Sequence, residues 1–293
     1  MATTNANAPK GAPKKQSAGF TGIKSGLSVI IVCALIAVAI YLFGFGNISN
    51  FKGGPETGYA FSFLTPDDIS LEPANLMGTV YKGGIVVGII LTLLLSVICL
   101  GVERFFALKT AFGKMSLPKF TSQVKELIKK GDFDGAKALC DKMQGSVANV
   151  VSASIAAYKD VESNSTMKKA QKIAKIQQAH EEATQLEMPT LQMNLPIVAT
   201  IVTLGTLTAL FGTVLGMINS FQALSSGGGA DSMALSAGIS EALVNTASGI
   251  LTSWFAVVIY NFFTNKIDKL TYALDEVGYT IAATYDVNHT EEA

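Results

Sequence analysis

LPIVATIVTLGTLTALFGTVLGMINSF at 195–221 and LSAGISEALVNTASGILTSWFAVVIYNFF at 235–263 are two long apolar stretches joined by a short, polar, Gly-rich link. A bilayer core takes about 20 helical residues, so each stretch can cross a membrane, and the surplus must tilt or project into water. Neither stretch is uniformly apolar. The first carries Thr203, Gly205, Thr206, Thr208, Gly212, Thr213, Gly216, Asn219 and Ser220. The second carries Ser240, Glu241, Asn245, Thr246, Ser248, Gly249, Thr252 and Ser253. Polar groups cost free energy in hydrocarbon unless they are paired, so these residues belong against protein or water rather than lipid.

Their spacing is helical. Thr206, Thr213 and Ser220 recur every seventh residue, as do Thr246 and Ser253. Folding the two stretches as a hairpin about Gly229 and Ala230 puts Thr213 and Thr246 equidistant from the turn. Both then lie roughly ten residues, about 15 Å by helix rise, below the membrane surface. Thr206 and Ser253 pair by the same arithmetic one layer deeper. Gly212 and Gly216 supply a small-residue surface for close helix approach. The hydroxyls admit two readings: they hold helices together, bonding back to their own carbonyls or to a neighbour, or they line a hydrated interior. Glu241 lies roughly five residues into its span, where a carboxylate is costly and by default functional. The other reading of Glu241 is a structural hydrogen-bonding group near the interface. Asn245 follows one turn deeper on the same face.

Working outward, Leu27–Phe45 and Gly84–Val102 are two further spans, bland in composition and suited to facing lipid. The first is too long, and too poorly followed by small residues, for a cleaved leader. The chain is 49% hydrophobic and only 15% charged, where a soluble domain carries about a quarter charged residues. Lysines place the loops. Lys10, Lys14, Lys15 and Lys24 precede the first span, most of the rest fall between 103 and 194, and Lys266 and Lys269 follow the fourth. By the positive-inside rule both termini are cytoplasmic. The net charge of zero and the single arginine, Arg104, speak against a nucleic-acid partner. Cys33, Cys99 and Cys140 fit no metal spacing, and the two histidines do not suggest a metal site. No nucleophile–base constellation is visible, so neither an enzyme nor a cofactor is expected. Gly227 to Gly229 lack the lysine and the flanking strand of a phosphate loop.

The resulting expectation is an all-α, polytopic membrane protein with four transmembrane helices and a helical cytoplasmic domain. Its parts are a disordered basic tail at 1–22, in reach of anionic lipid, and an extra first span at 23–46. A periplasmic loop follows at 47–82 and a second span at 83–104. A cytoplasmic helical domain takes 105–194, the hairpin 195–263 and a C-terminal helix 264–293. Within the cytoplasmic part the pattern predicts two helices broken at Gly131 and Asp132, a third over 146–160 and a fourth from Met167. That fourth helix runs towards the third span, with kinks at Pro189 and Pro196. The last helix, with Ile267, Leu270, Leu274, Val277 and Ile281 on one face, is expected to pack on it.

Phe211–Phe221 (FGTVLGMINSF) and Gly238–Ile250 (GISEALVNTASGI), with Val258–Asn261, resemble the MotA/TolQ/ExbB proton-channel family, most nearly ExbB. Val102–Phe105 (VERF) and Lys130–Phe133 (KGDF) are similar to the family's junction and cytoplasmic motifs. Ala209 and Thr206 stand where the family often has Gly and Pro, and the first span is an addition to the usual three. The resemblance implies a bacterial inner-membrane, multi-pass subunit of a motor driven by the proton motive force. It implies a homopentamer around a single-span partner of the ExbD/TolR type whose Asp titrates. Thr213 and Thr246 match the family's pore threonines, and Glu241 its acidic residue. The work would reach a TonB-like protein and an outer-membrane transporter. A TolQ-like or MotA-like stator, or a scaffold that conducts no protons, are the alternatives; the absence of inverted repeats counts against a secondary transporter.

Overall fold

The computed structural model describes residues 25–58, 61, 72–226 and 232–289. The basic tail and the centre of the 227–231 link lie outside these residues. Among the described residues the chain is helical, with only two isolated bridges, Asn47 with Phe61 and Phe51 with Pro73, and no strand. The all-α reading therefore holds. Four helices are long and apolar enough to span a membrane. The chain divides into two compact units, one built from residues 25–104 and 194–264, the other from 105–193 and 265–289.

In the first unit, α1 (Gly26–Ala39) continues through a π-helical turn at Ile40–Phe45. Only Gly26, Cys33 and Ala37 of α1 are buried, one narrow face, while Leu27 and Leu35 are about two-thirds exposed. The end of this helix is held by side chains. The Asn50 amide donates to the Gly44 and Phe45 carbonyls at 2.9 and 3.0 Å, and Asn75 donates to the Asn50 Oδ1 at 2.9 Å. Asn75 also caps the short α2 (Leu76–Tyr81) by accepting from the Gly78 N–H. Tyr41 stacks on Tyr81 with ring centroids 4.9 Å apart. So the segment between the first two spans, expected as a loop, contains a short helix and a hydrogen-bonded cap.

The second span is α3 (Gly84–Ala111). Its apolar surface divides: Ile85, Ile89, Ile98 and Val102 stay exposed on one face, as the composition suits, and the other face enters the core. Val86, Val87, Ile90, Val97 and Leu100 are all buried; Val86 and Ile90 pack with Ala209, and Val97 and Leu100 with Val198, Ile201 and Ala256. A Leu/Ile/Val helix is chemically as fit for a core as for lipid. The third and fourth spans lie in α8 (Leu195–Ser226) and α9 (Ser232–Asn288). At 57 residues α9 is one uninterrupted helix, about 86 Å long at 1.5 Å per residue. The boundary expected after Phe263 is a change of polarity only. No Gly or Pro stands between Gly249 and Gly278 to stop the helix.

In the second unit, α4 (Leu117–Lys129) buries Phe120, Val124 and Ile128. Gly131, at φ 75°, ends it, and Asp132 caps α5 (Phe133–Met143) by accepting from the Gly135 N–H at 2.8 Å. The hydrophobic face of α6 (Ser146–Glu162) runs through Val147, Val150, Val151, Ile155 and Tyr158. Helix α7 (Lys169–Gln192) continues through Pro189. The break falls instead at Asn194, whose φ of 64° turns the chain into α8, with Pro196 in the first turn, where proline lacks no needed N–H. Ile267, Leu270, Leu274, Val277 and Ile281 of α9 are buried as one face. That face meets α7, where Thr271 reaches Met188 and Gly278 lies under the His180 ring.

Candidate functional site

The site grows from the way α8 and α9 approach each other. A Cβ on Gly205 would lie 2.5 Å from the Ser253 hydroxyl, and one on Gly249 2.2 Å from the Ala209 Cβ. One on Gly216 would lie 2.8 Å from the Ala242 N, and one on Gly238 2.3 Å from the Ser220 hydroxyl. The pairs 205–253, 209–249, 216–242 and 220–238 all reflect about position 229, so they are one antiparallel register. Glycines at four levels, 205, 216, 238 and 249, thus bring two backbones into contact, while Gly212 faces the Asn245 side chain.

At the middle of this seam Thr213 and Thr246 meet, with Oγ1 atoms 2.6 Å apart. Thr213 is also 2.9 Å from the Ala209 carbonyl, and Thr246 is 3.0 Å from the Ala242 carbonyl. Two hydroxyl protons thus serve three acceptors: the two carbonyls and the other hydroxyl. Either threonine donates across while its partner donates back to its own helix. The two patterns are equivalent in bond count, so the pair can present a lone pair from either side. Both residues are half-buried, which leaves them open on one side.

The deeper pair does not form. Thr206 is exposed and donates to the Thr203 carbonyl, while Ser253 is buried over Gly205. The pairing expected from sequence is displaced by one residue. The reflection about Gly229 and Ala230 suits the long threonine reach at 213 and 246, but the backbone contacts centre on 229 itself. The Ser253 Oγ has no partner.

Glu241 is half-buried. Asn219 donates to its Oε2 at 3.4 Å, and its Oε1 lies beside Gly84, the first residue of α3. Gly84 has φ 71°, and a Cβ there would come 2.9 Å from that oxygen. The carboxylate thus lies near the N-terminal end of α3, the positive end of the helix dipole. Sequence spacing gives no hint of Gly84, because it comes from another span. Asn245 is fully buried, over Gly212 and beside Val86, and neither of its amide atoms has a partner.

A second polar cluster stands at the far end of α3. Arg104, fully buried, donates through Nε and Nη2 to the Glu103 carboxylate at 2.6 and 2.5 Å. Asn194 donates to the same carboxylate at 3.3 Å. This is the bidentate geometry that makes a desolvated pair tolerable. Among the described residues no group of acidic, His and Cys side chains is arranged to hold a metal.

The region that carries this geometry has relatives. The sequence profile of the MotA/TolQ/ExbB proton channel family matches residues 148–276, from α6 into the second half of α9. Over this region the chain is similar to the MotA/TolQ/ExbB proton channel family. It is 38% identical over 87 residues to the ExbB-like 3 protein of Synechocystis sp., covering 29% of this chain and 41% of that one. It is 38% identical over 80 residues to the Tol-Pal system protein TolQ of Pseudomonas aeruginosa, covering 27% and 35%. A longer likeness, 25% over 204 residues and 68% of each chain, is to an ExbB homolog of Methanothermobacter thermautotrophicus. The strongest of these matches span well under half the length of the relatives. The VERF and KGDF motifs lie outside the stretch matched by the family profile.

Proposed function

We propose that this chain is the ring-forming subunit of an inner-membrane motor driven by the proton motive force. Thr213 and Thr246 line its proton path. The supporting observation is the 2.6 Å contact between these hydroxyls across the family-matched hairpin. Hydroxyls carry no charge at physiological pH, so the titrating group must come from elsewhere. A single-span partner of the ExbD/TolR kind, bearing an Asp, supplies it, and copies of this chain surround that partner as a pentamer. The threonine pair, able to donate from either side, hydrates and hydrogen-bonds the carboxylate in its charged and neutral forms. Glu241, held between Asn219 and the start of α3, feeds the path, with both termini in the cytoplasm.

On this reading the work passes to a TonB-like protein and on to outer-membrane transport. Likenesses to both ExbB and TolQ support the motor class equally, so the TolQ-like or MotA-like stator is the second form of the same proposal. The test is Thr246→Val in the complex of this chain with its single-span partner, reconstituted in liposomes. The expected outcome is loss of proton flux with assembly intact. Undiminished flux in that variant would remove the pore role. A wild-type complex that assembles yet conducts nothing would make the chain a scaffold. Whether the co-purifying partner works with a TonB-like or a Tol-like system decides the subtype.

A further inference from the structure

The α9 helix carries a second polar stripe beside the one that holds Thr246, and it touches α8 as well, at Gly212 under Asn245 and at Asn219 beside Glu241. Glu241, Asn245, Ser248 and Thr252 follow at steps of four, three and four, a single stripe. It is turned towards α3. Glu241 abuts Gly84, Asn245 lies beside Val86, and Ile259, further along the same stripe, packs on Gly101. Thr213 and Thr246 belong to the other seam.

Within the stripe the hydroxyls are satisfied by their own helix. Ser248 donates to the Val244 carbonyl at 2.8 Å, and Thr252 to the Ser248 carbonyl at 2.9 Å. Asn245 differs. Its side chain is fully buried, and both Oδ1 and Nδ2 lack a partner. Gly212 opposite has no side chain, and the amide carbon and nitrogen occupy the space that a Cβ there would need. An amide left bare in a membrane interior loses at least the net worth of its hydrogen bonds, and a leucine of the same shape would pack there without that loss.

We propose that Asn245 is a water-binding site, and that this water extends a polar track from Glu241 along the α3 face of α9. The amide offers one acceptor and two donors, and the Glu241 carboxylate one turn away adds acceptors. A buried water is held by two to four such groups. In this track a proton is relayed by hops. Each hop breaks one O–H bond and forms one on the next oxygen, so the waters are conserved. The relay role rests on the proton-conducting reading above; the hydration does not.

The experiment separates the two. The full-length chain, with Asn side chains labelled with ¹⁵N, is placed in lipid bilayers without its partner and read by water-edited solid-state NMR. An amide signal that gains magnetisation from water, and that disappears in Asn245→Leu, is the expected result. An Asn245 amide that receives nothing from water overturns the site, whatever the flux. Asn245→Ala serves the same subtraction if the leucine variant fails to insert. In the liposome complex, Asn245→Leu is expected to lower proton flux about tenfold or more, and Asn245→Ser to retain most of it. Unchanged flux in the leucine variant, with the water contact present, overturns the relay. Flux that survives Thr246→Val but falls in Asn245→Leu would reject the threonine pore and leave this track standing.

Discussion

Polar side chains find their partners differently in the two halves of α9. Over residues 232–264 they turn inward on their own helix: Thr246, Ser248 and Thr252 all donate to carbonyls three or four residues back. Over residues 265–288 Thr271, Thr280 and Thr284 still donate to their own helix, but the charged side chains reach across to other helices. Lys125 pairs with Glu276, and Lys169 with Asp286 at 2.8 Å. In the first half every bond must be found within the membrane unit, so the cheapest acceptor, the preceding turn, takes most of them. In the second half water competes for each ion, so pairs form and are worth little. The exceptions in the membrane unit are therefore the informative groups: the Thr213–Thr246 bridge, the bare Asn245 amide and the buried Glu103–Arg104 pair.

The largest effect should come from the buried ion pair. Glu103→Ala leaves the fully buried Arg104 without its bidentate carboxylate and should destabilise the membrane unit by about 3–5 kcal/mol. Denaturant unfolding in micelles reads this, and a loss below about 1 kcal/mol would mean water reaches Arg104. Next in size is the glycine seam. Gly216→Val places a side chain against the Gly238 carbonyl and the Ala242 N–H, both backbone groups that cannot swing away. A cost of about 2–3 kcal/mol is expected in the same assay, whereas Gly131→Ala, at a surface turn, should cost about 1 kcal/mol.

A pH effect marks the water-facing unit. Ser154 Oγ donates to the Val150 carbonyl at 2.9 Å, so it accepts from His180 Nδ1 at 2.9 Å, which makes Nδ1 the protonated nitrogen of the neutral ring. Nε2 is then a bare lone pair, buried over Gly278. Burial pushes the His180 pKa down, against the raising effect of Asp275 and Glu181. The unfolded chain therefore takes up this proton first as pH falls. The stabilisation that His180 provides is complete above its unfolded value of about 6.5 and is lost on acidification through it towards the lower folded value. Hydrogen-exchange protection of α6 and α7, relative to the intrinsic rate at each pH, should fall below that pH in the wild type, and His180→Gln should flatten the dependence. The smallest effect is at the surface. Asp160→Asn removes an ion pair with Lys175 in which both side chains are more than a third exposed, and should change stability by less than about 0.5 kcal/mol.

Much of this was legible in one dimension. The four spans, the break at Gly131 and Asp132, and the buried stripe from Ile267 to Ile281 follow from length, turn residues and period. The meeting of Thr213 and Thr246 also follows from counting outward from the Gly-rich link. The same count misplaces Ser253 by one residue, because it assumes that side chains meet where backbones reflect. Glycines at 205, 212, 216, 238 and 249 shift that register by letting one helix sink into the other. The α7–α8 break at Asn194 rather than at Pro189 is a choice between two weak local signals, settled by a single left-handed residue.

Length, hydropathy and charge are properties each segment carries by itself, so the sequence alone determined that this chain crosses a membrane four times and carries hydroxyls at matched depth in its last two spans. Which apolar helix becomes the core, which oxygen lies against the start of α3, and which amide is left bare were decided only by the tertiary structure. Each of these depends on what surface comes to cover a residue, and the covering residues, Gly84, Val86 and Gly212 among them, come from distant parts of the chain.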